Sequence, residues 1–395
     1  MRILLVVDDY MPQSKKVAAK MMHELALEFI SREYNVTVLT PDSKITEKYV
    51  LSSFESVDVC RFKSGEIKNV SKIKRVINES LLSIRGWIYC KNFLKKNPHD
   101  LIIYYSPSIF WGPLIKKLKK IWNVQSYLIL RDFYPQMFFD EGLISEHSPI
   151  AYYFKFFEHI TYKHADIIGI ESPKNLEWFI HKYKVSADLE LLYNWAEDKI
   201  YTSHDNKYRK KLGIENKVVF FYGGNIGPQH DMPNLIRLAK SMESEKEAHF
   251  VIVGQGFAVD LLLKEIEKEN LTNISYLPAV NQKEFKKMLS EFDVGLFTLN
   301  KEHTTHNIPG KLLGYMVQEM PILGSINKNN DIEQIIGDSN SGLISITGDD
   351  KTFLNNALKL LHNPELRQQM GKNAKQLLNN VFSVKEAANK IVNRY

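Results

Sequence analysis

The sequence predicts an α/β fold made of two doubly wound parallel-sheet domains that face each other across a ligand cleft. Three observations predict it. Apolar runs of strand length alternate with segments of helical spacing along the chain. The alternation restarts after a polar stretch, 197–211, that has no apolar period and reads as a linker. The chain has 395 residues, too many for one ordinary core. The expected domains are therefore residues 1–200 and 201–380. A C-terminal helix, 381–395, is expected to pack back on the first domain.

In the first half, "RILLVV" (2–7) is a continuous apolar run of strand length. Helical spacing follows over 18–33, then "NVTVLT" (35–40) as a second strand. Residues 100–106 and 126–132 read as strands with a basic helix, 112–122, between them. Residues 165–172 and 189–195 complete the set. The second half repeats the theme. "KVVFFYGGNIG" (217–227) is a strand running into a glycine loop, followed by a helix over 233–242 and a strand over 248–256. Helices are expected over 257–269 and 282–291, with strands at 274–280 and 293–300. Strands at 321–326 and 341–346 and two helices after Pro364 close the chain. In open α/β sheets, ligands sit at the carboxyl ends of the strands, and the motifs below all fall there.

Hydrophobic content of 44% and charged content of 25% are those of a soluble globular protein. The two cysteines, Cys60 and Cys90, make neither a disulfide framework nor a metal quartet, so a reducing cytoplasm is expected. The N-terminal apolar run is cut short by Asp8 and Asp9, so it is a buried strand rather than a secretory signal. No apolar stretch is long enough to span a membrane. Net charge is +6, but residues 61–120 alone carry 14 Lys and Arg against three acids, a local excess of +11. Aromatic and apolar residues interleave these cations, in "LLSIRGWIYCKNFLKK" and "IFWGPLIKKLKKIW". Either segment alone reads as a solvated helix face. Together they suggest a surface that leans on anionic lipid. Nucleic acid is the lesser alternative, because no nucleic-acid-binding motif is present.

The stretch "THNIPGKLLGYM" (305–316) stands where a strand gives way to a helix. Pro309 suits a first helical turn, where its missing N–H would have no intrahelical partner. Gly310 admits close approach of a ligand to the backbone. The N–H groups of Gly310, Lys311 and Leu312 would point at an anion, helped by the helix dipole, and Lys311 adds a full charge. Read alone, the motif is equally a Pro-started helix with a solvent lysine. A second loop shifts the balance: Gly223, Gly224 and Gly227 fall within five residues at another strand-to-helix joint, an anion cradle in composition. Gly254-Gln255-Gly256 lacks a third glycine and is explained by a tight turn. No Walker A motif, no D-x-D and no H-E-x-x-H occurs, so neither ATP hydrolysis nor metal chemistry is expected. Trp195, Tyr315 and Met316 read as packing residues.

The motifs "MRILLVVDDYMPQ", "LRDFYPQ", "LYNW", "YGGNIG" and "THNIPGKLLGYM" span essentially the whole chain. Together the sequence resembles the family-4 retaining glycosyltransferases of the GT-B fold. The last three motifs look most like the branch that builds bacterial O-antigen and capsule. Within it, "HNIPGK-x-L-G-YM" is similar to the L-fucosamine (N-acetylfucosaminyl) transferases.

The resemblance implies roles for particular residues. Gly223, Gly224, Asn225, Ile226 and Gly227 would face a donor diphosphate. Asn225 falls where many members have arginine, and His230 where many have lysine. Lys311 and the N–H groups after Pro309, with His306 beside them, would hold the phosphates from the other side. Backbone at Pro278, Ala279 and Val280 would read uracil. Asp9, Lys15 and Lys16 would face the donor sugar and acceptor, and Arg131 and Asp132 would reach into the cleft. Lys311, Asn225 and Asp132 would act in catalysis, with no metal and no cofactor beyond the UDP-sugar substrate. The chain departs from the family in three places. His306 and Gly314 stand where many members carry a glutamate pair, Glu319 replaces a glycine, and "QSKKVAA" replaces a Gly-Gly loop.

The expected protein is a cytoplasmic enzyme at the inner membrane. It would move an acetamido-deoxysugar, N-acetyl-L-fucosamine for example, from UDP to a polyprenyl-pyrophosphate-linked saccharide with retention. A UDP-sugar epimerase on the same fold and a non-catalytic scaffold are the rival readings.

Overall fold

The N-terminal apolar run forms β1 (Arg2–Val6), whose last four side chains are wholly shielded from solvent. A strand buried on both faces belongs inside a parallel sheet covered by helices. The computed structural model describes every residue except Lys15, 68–69, Glu141, His204 and 302–307. It divides into two units, Met1–Tyr193 with Ala387–Tyr395, and Asn194–Glu386.

In the first unit, β1 is followed by α1 (Val17–Ser31), β2 (Asn35–Asp42), β3 (Tyr49–Phe54), β4 (Val57–Lys63), α2 (Lys72–Ser80), α3 (Leu82–Lys96) and β5 (Leu101–Ser106). Then come α4 (Gly112–Trp122), β6 (Gln125–Leu130), α5 (Gln136–Asp140), α6 (Pro149–Lys163), β7 (Ile167–Ile170), α7 (Pro173–Lys182) and β8 (Asp188–Leu191). The strand order is β3-β4-β2-β1-β5-β6-β7-β8, parallel throughout except for β3 against β4. The core under it is built from residues such as Leu4, Phe62, Ile102, Trp111 and Leu128.

The second unit contains α8 (Lys207–Leu212), β9 (Val218–Asn225), α9 (Met232–Ser241), β10 (Ala248–Gln255), α10 (Val259–Lys268), β11 (Ile274–Pro278) and α11 (Gln282–Leu289). It continues with β12 (Val294–Thr298), α12 (Gly310–Val317), β13 (Ile322–Ile326), α13 (Asp331–Asp338), β14 (Gly342–Ile346), α14 (Asp350–His362) and α15 (Pro364–Leu377). Its six strands are all parallel, in the order β11-β10-β9-β12-β13-β14. Phe220, Ile252, Leu296 and Leu323 fill its core with Leu238 and Leu360 from the helices. The last helix, α16 (Val384–Val392), is tied to the first unit at its end. Lys390 Nζ donates to Leu191 O at 3.0 Å, and Arg394 Nε to Glu190 at 3.2 Å.

The expectation of two mostly parallel sheets is borne out, with local differences. The β3–β4 hairpin was not foreseen. Its two-residue turn places Glu55 and Ser56 at φ 46° and 69°, a geometry ordinarily announced by Asn-Gly or Asp-Gly. The second half of the supposed linker is α8. Arg209 pins it to the sheet by donating to Asp293 at 2.6 Å and to Lys217 O at 2.7 Å. Helices α13 and α14 were also absent from the sequence reading, although Asn330 and Asp349 cap them in the ordinary way.

Candidate active site

Strand order in the second unit reverses between β9 and β12, and such a switch point opens a crevice at the strands' carboxyl ends. The two strands are in register only at Val294–Phe220 and Gly295–Phe221. Beyond that they part, and the hydroxyl of Tyr315 from α12 takes up the gap. It accepts from Gly223 N–H at 3.2 Å and donates to Leu296 O at 2.9 Å. Gly295 leaves room for the ring: a Cβ there would stand 2.4 Å from it.

One turn earlier on α12, Lys311 sits at the same crevice. Its Nζ lies 3.7 Å from the centre of the Tyr222 ring. It is also close to Gly224, where a Cβ would stand 3.8 Å from the ammonium. The Nζ is shielded from solvent and has no hydrogen-bond partner among the described residues. Burial pushes its pKa down from the ordinary lysine value to about 7. The aromatic face repays part of the desolvation, but a buried cation without a paired acid is costly. A bound anion would offset that cost.

Backbone donors converge there. Pro309 caps α12 without a side-chain acceptor, and the first N–H groups, of Gly310 and Lys311, have no backbone partner among the described residues. Leu312 corrects the expectation: its N–H is spent on Pro309 O at 3.0 Å and its side chain is in the core. On β9, Gly224 and Asn225 are exposed, and Gly224 has φ 131°. Ile226 is a second correction. Its N–H donates to Gln255 O, its carbonyl accepts from Ala258 N–H, and its side chain is fully buried. Gly223 is buried as well, and Gly227 accepts from His230 N–H. The Asn225 carbonyl accepts from Tyr222 OH at 2.6 Å, which fastens the loop to its own strand.

His230 Nδ1 lies 3.0 Å from Thr298 O. A carbonyl can only accept, so the proton of the neutral ring is assigned to Nδ1. The ring also meets Tyr222 edge-on at 5.9 Å. Lys311, His230 and the glycine loop therefore all gather on Tyr222. Pro278 and Ala279 are exposed at the end of β11, and Val280 is half-buried beside them. His306 and Lys15 lie outside the described residues.

In the first unit, Asp9 accepts from Ser14 Oγ at 2.5 Å, and Ser14 Oγ accepts from Lys16 N–H at 3.2 Å, which folds the β1–α1 loop on itself. The Lys16 side chain is exposed. Arg131 departs from its expected role of reaching outward. It is buried, and its guanidinium donates to Leu192 O and, at 3.1 Å, to Tyr193 O. Asp132 is half-buried, and burial raises its carboxyl above the usual range while Arg131 opposes the rise. Burial likewise raises the neighbouring Tyr105 phenol. Arg131 lowers it, and Asp132, Asp8 and Glu171 add to the rise. The ends of β1, β5, β6 and β7 thus bring Asp8, Asp132 and Glu171 within electrostatic reach of Tyr105.

Sequence reasoning missed Tyr222, Tyr315, Asp8, Tyr105 and Glu171. Signals existed for the first two. Tyr222 and Gly224 are two apart on a strand and so share a face, and Lys311 and Tyr315 are four apart on a helix. Among the described residues no group of three His, Cys, Asp or Glu side chains is placed to hold a metal ion.

The family model described as glycosyl transferases group 1 matches residues 204–377, within the second unit. The putative colanic acid biosynthesis glycosyl transferase WcaI of Escherichia coli (strain K12) is 22% identical over 328 residues, 79% of this chain and 80% of that protein. Sucrose-phosphate synthase from Thermosynechococcus elongatus superposes with a TM-score of 0.73 at 13% identity, covering 100% of this chain and 98% of that one. Anabaena HepE, solved in complex with UDP and glucose, gives 0.69 at 14% identity, covering 100% and 99%. Taken with the two parallel sheets, these likenesses give the chain the GT-B fold, and the relatives it matches are glycosyltransferases.

Proposed function

We propose that this enzyme transfers a hexosyl residue from a UDP-sugar to a lipid-linked saccharide, with the donor on the second unit and the acceptor on the first. The observation that carries the reading is the Lys311 ammonium, buried on Tyr222 beside Gly224 with no hydrogen-bond partner among the described residues. A donor diphosphate supplies the missing charge. UDP is favoured because HepE was solved with it. The favoured sugar is an acetamido-deoxysugar such as N-acetyl-L-fucosamine, on the strength of the "HNIPGK" motif.

In the transfer, the bond from the anomeric carbon to the diphosphate oxygen breaks and a bond to an acceptor hydroxyl oxygen forms. The acceptor proton passes to the departing diphosphate, and the configuration is retained. Lys311, the N–H groups of Gly310 and Lys311, and the exposed Gly224–Asn225 backbone meet the charge on the leaving group. Turnover is expected to survive chelation by EDTA for that reason. Asp132, with Asp8 and Glu171 around the same Tyr105, is assigned to the acceptor hydroxyls. The acceptor is carried on a polyprenyl pyrophosphate at the inner leaflet, where the basic segment 61–120 adsorbs to anionic lipid.

A thermal-shift series with UDP-, GDP- and TDP-sugars tests the reading. UDP-sugars should raise Tm, with UDP-N-acetyl-L-fucosamine giving the largest shift. A response to GDP- or TDP-sugars alone would replace the base, and no response to any of them would end the proposal.

A further inference from the structure

The outward face of α6 is aromatic. Tyr152 and Phe156, 60% and 59% exposed, are four apart and lie one above the other. His159 and Lys163 continue that exposed face. On α2, Ile73 and Ile77 repeat the pattern at 76% and 55% exposure. The two helices meet: Tyr153 OH donates to Ser80 Oγ at 2.5 Å, and Val76 of α2 packs with Phe154 and Phe157 of α6 in one small cluster. Helix α6 also lies against α4, and α4 against α3. The exposed sides of those neighbours carry Lys116 and Lys120, and Lys91 and Lys95. Single exposed apolar residues are ordinary. Two adjoining apolar strips beside a cationic helix layer are not, and they mark an interaction surface.

We propose that α6 and α2 insert Tyr152, Phe156, Ile73 and Ile77 into the headgroup region of an anionic bilayer while the lysines of α3 and α4 hold the lipid phosphates. The proposal rests on the membrane-acting reading above and adds an insertion site to what was adsorption by charge. Aromatic and aliphatic side chains bordered by lysine match the amphipathic profile of an interfacial segment. A second copy of the chain fits this face poorly, because two identical lysine-rich layers would repel.

Flotation of the full chain with phosphatidylcholine vesicles, with and without phosphatidylglycerol, tests it, using wild type and a Tyr152→Ser, Phe156→Ser double variant. Both side chains are exposed, so the variant should keep the wild-type Tm and UDP-induced shift. The expected result is that wild type floats with phosphatidylglycerol vesicles and the double variant partitions at least about tenfold less, which is ~1.4 kcal/mol. Equal flotation of both proteins, abolished in both by salt, would overturn the insertion and leave the charge-driven reading standing. Failure of wild type to float at all would remove both. Loss of a dimer in the double variant, with unchanged flotation, would reassign the face to contact between copies.

Discussion

Lys311 places its ammonium 3.7 Å above the Tyr222 ring, held there by a helix whose next turn is tied to the same strand through Tyr315 and Gly223. The strand and the helix flank the point where the second sheet reverses its order. The amine is therefore fixed in place before any ligand arrives, so little reorganisation is needed when negative charge develops.

Replacing Lys311 should separate stability from activity. Lys311→Ala is expected to lower turnover at least about a hundredfold, since a preorganised contact of this kind contributes ~2.7–4 kcal/mol to the barrier. Lys311→Met, by contrast, should raise Tm. The folded-state pKa of about 7 lies below the ordinary 10.5, so between these values the unfolded chain binds a proton that the folded chain lacks. Wild-type stability thus rises with pH across that window, and below it the full penalty of the buried charge remains. The gain from Lys311→Met should be largest near neutral and lower pH and shrink towards about pH 10. Thermal melts across pH check this, and a pH-independent difference would contradict the burial argument.

Diphosphate binding should take up a proton. An anion beside Lys311 raises its pKa, so above about pH 7 the complex holds a proton that the free enzyme does not. Calorimetry of UDP binding in buffers of different ionisation enthalpy should show uptake near pH 8 that disappears in Lys311→Met. Affinity should fall as pH rises above about 7. Equal uptake in the variant would assign the proton to another group.

Tyr315→Phe keeps the ring that packs over Gly295 and removes the hydroxyl. Gly223 N–H and Leu296 O then lose their shared partner, at a cost of ~1–3 kcal/mol. Urea denaturation should report that loss, and UDP should bind more weakly because the glycine loop is no longer tied to α12. A destabilised variant with unchanged UDP affinity would confine Tyr315 to packing.

Two glycines should respond in opposite ways. A Cβ at Gly254 would fall 1.9 Å from Gly224 O, so Gly254→Ala must displace the β9 loop and lower both Tm and UDP affinity. Among the described residues, a Cβ at Gly310 meets nothing within 4 Å. Gly310→Ala should therefore keep its Tm while weakening UDP binding, because the methyl occupies space reserved for the ligand. Unchanged affinity in Gly310→Ala would show that the diphosphate does not approach that backbone.

Much of the fold was legible because parallel strands buried on both faces read as continuous apolar runs, as at residues 3–7 and 218–222. The β3–β4 hairpin was not, because Glu55-Ser56 carries none of the usual turn chemistry. Helix α8 was hidden because its short, charged sequence owes its place to Arg209 and Asp293, which are far apart in the chain.

At the candidate site, Lys311, Gly224 and His230 could be picked from residue type at strand-to-helix joints. Tyr222 could not be picked by type, because an aromatic in a core strand ordinarily only packs. Ile226 and Leu312 were included because they neighbour the right residues, and their backbone groups turn out to be spent internally. Arg131 was misjudged because its partners, the carbonyls of Leu192 and Tyr193, lie some sixty positions away in sequence.

The central claim is that Lys311 holds the diphosphate of the donor. A crystal structure of the enzyme with UDP tests it most directly. The account predicts a phosphate oxygen within hydrogen-bonding distance of Lys311 Nζ, with others facing the N–H groups of Gly310 and Lys311 and the Gly224 backbone. A diphosphate bound elsewhere, with Lys311 still resting on Tyr222 and touching no phosphate, would contradict it.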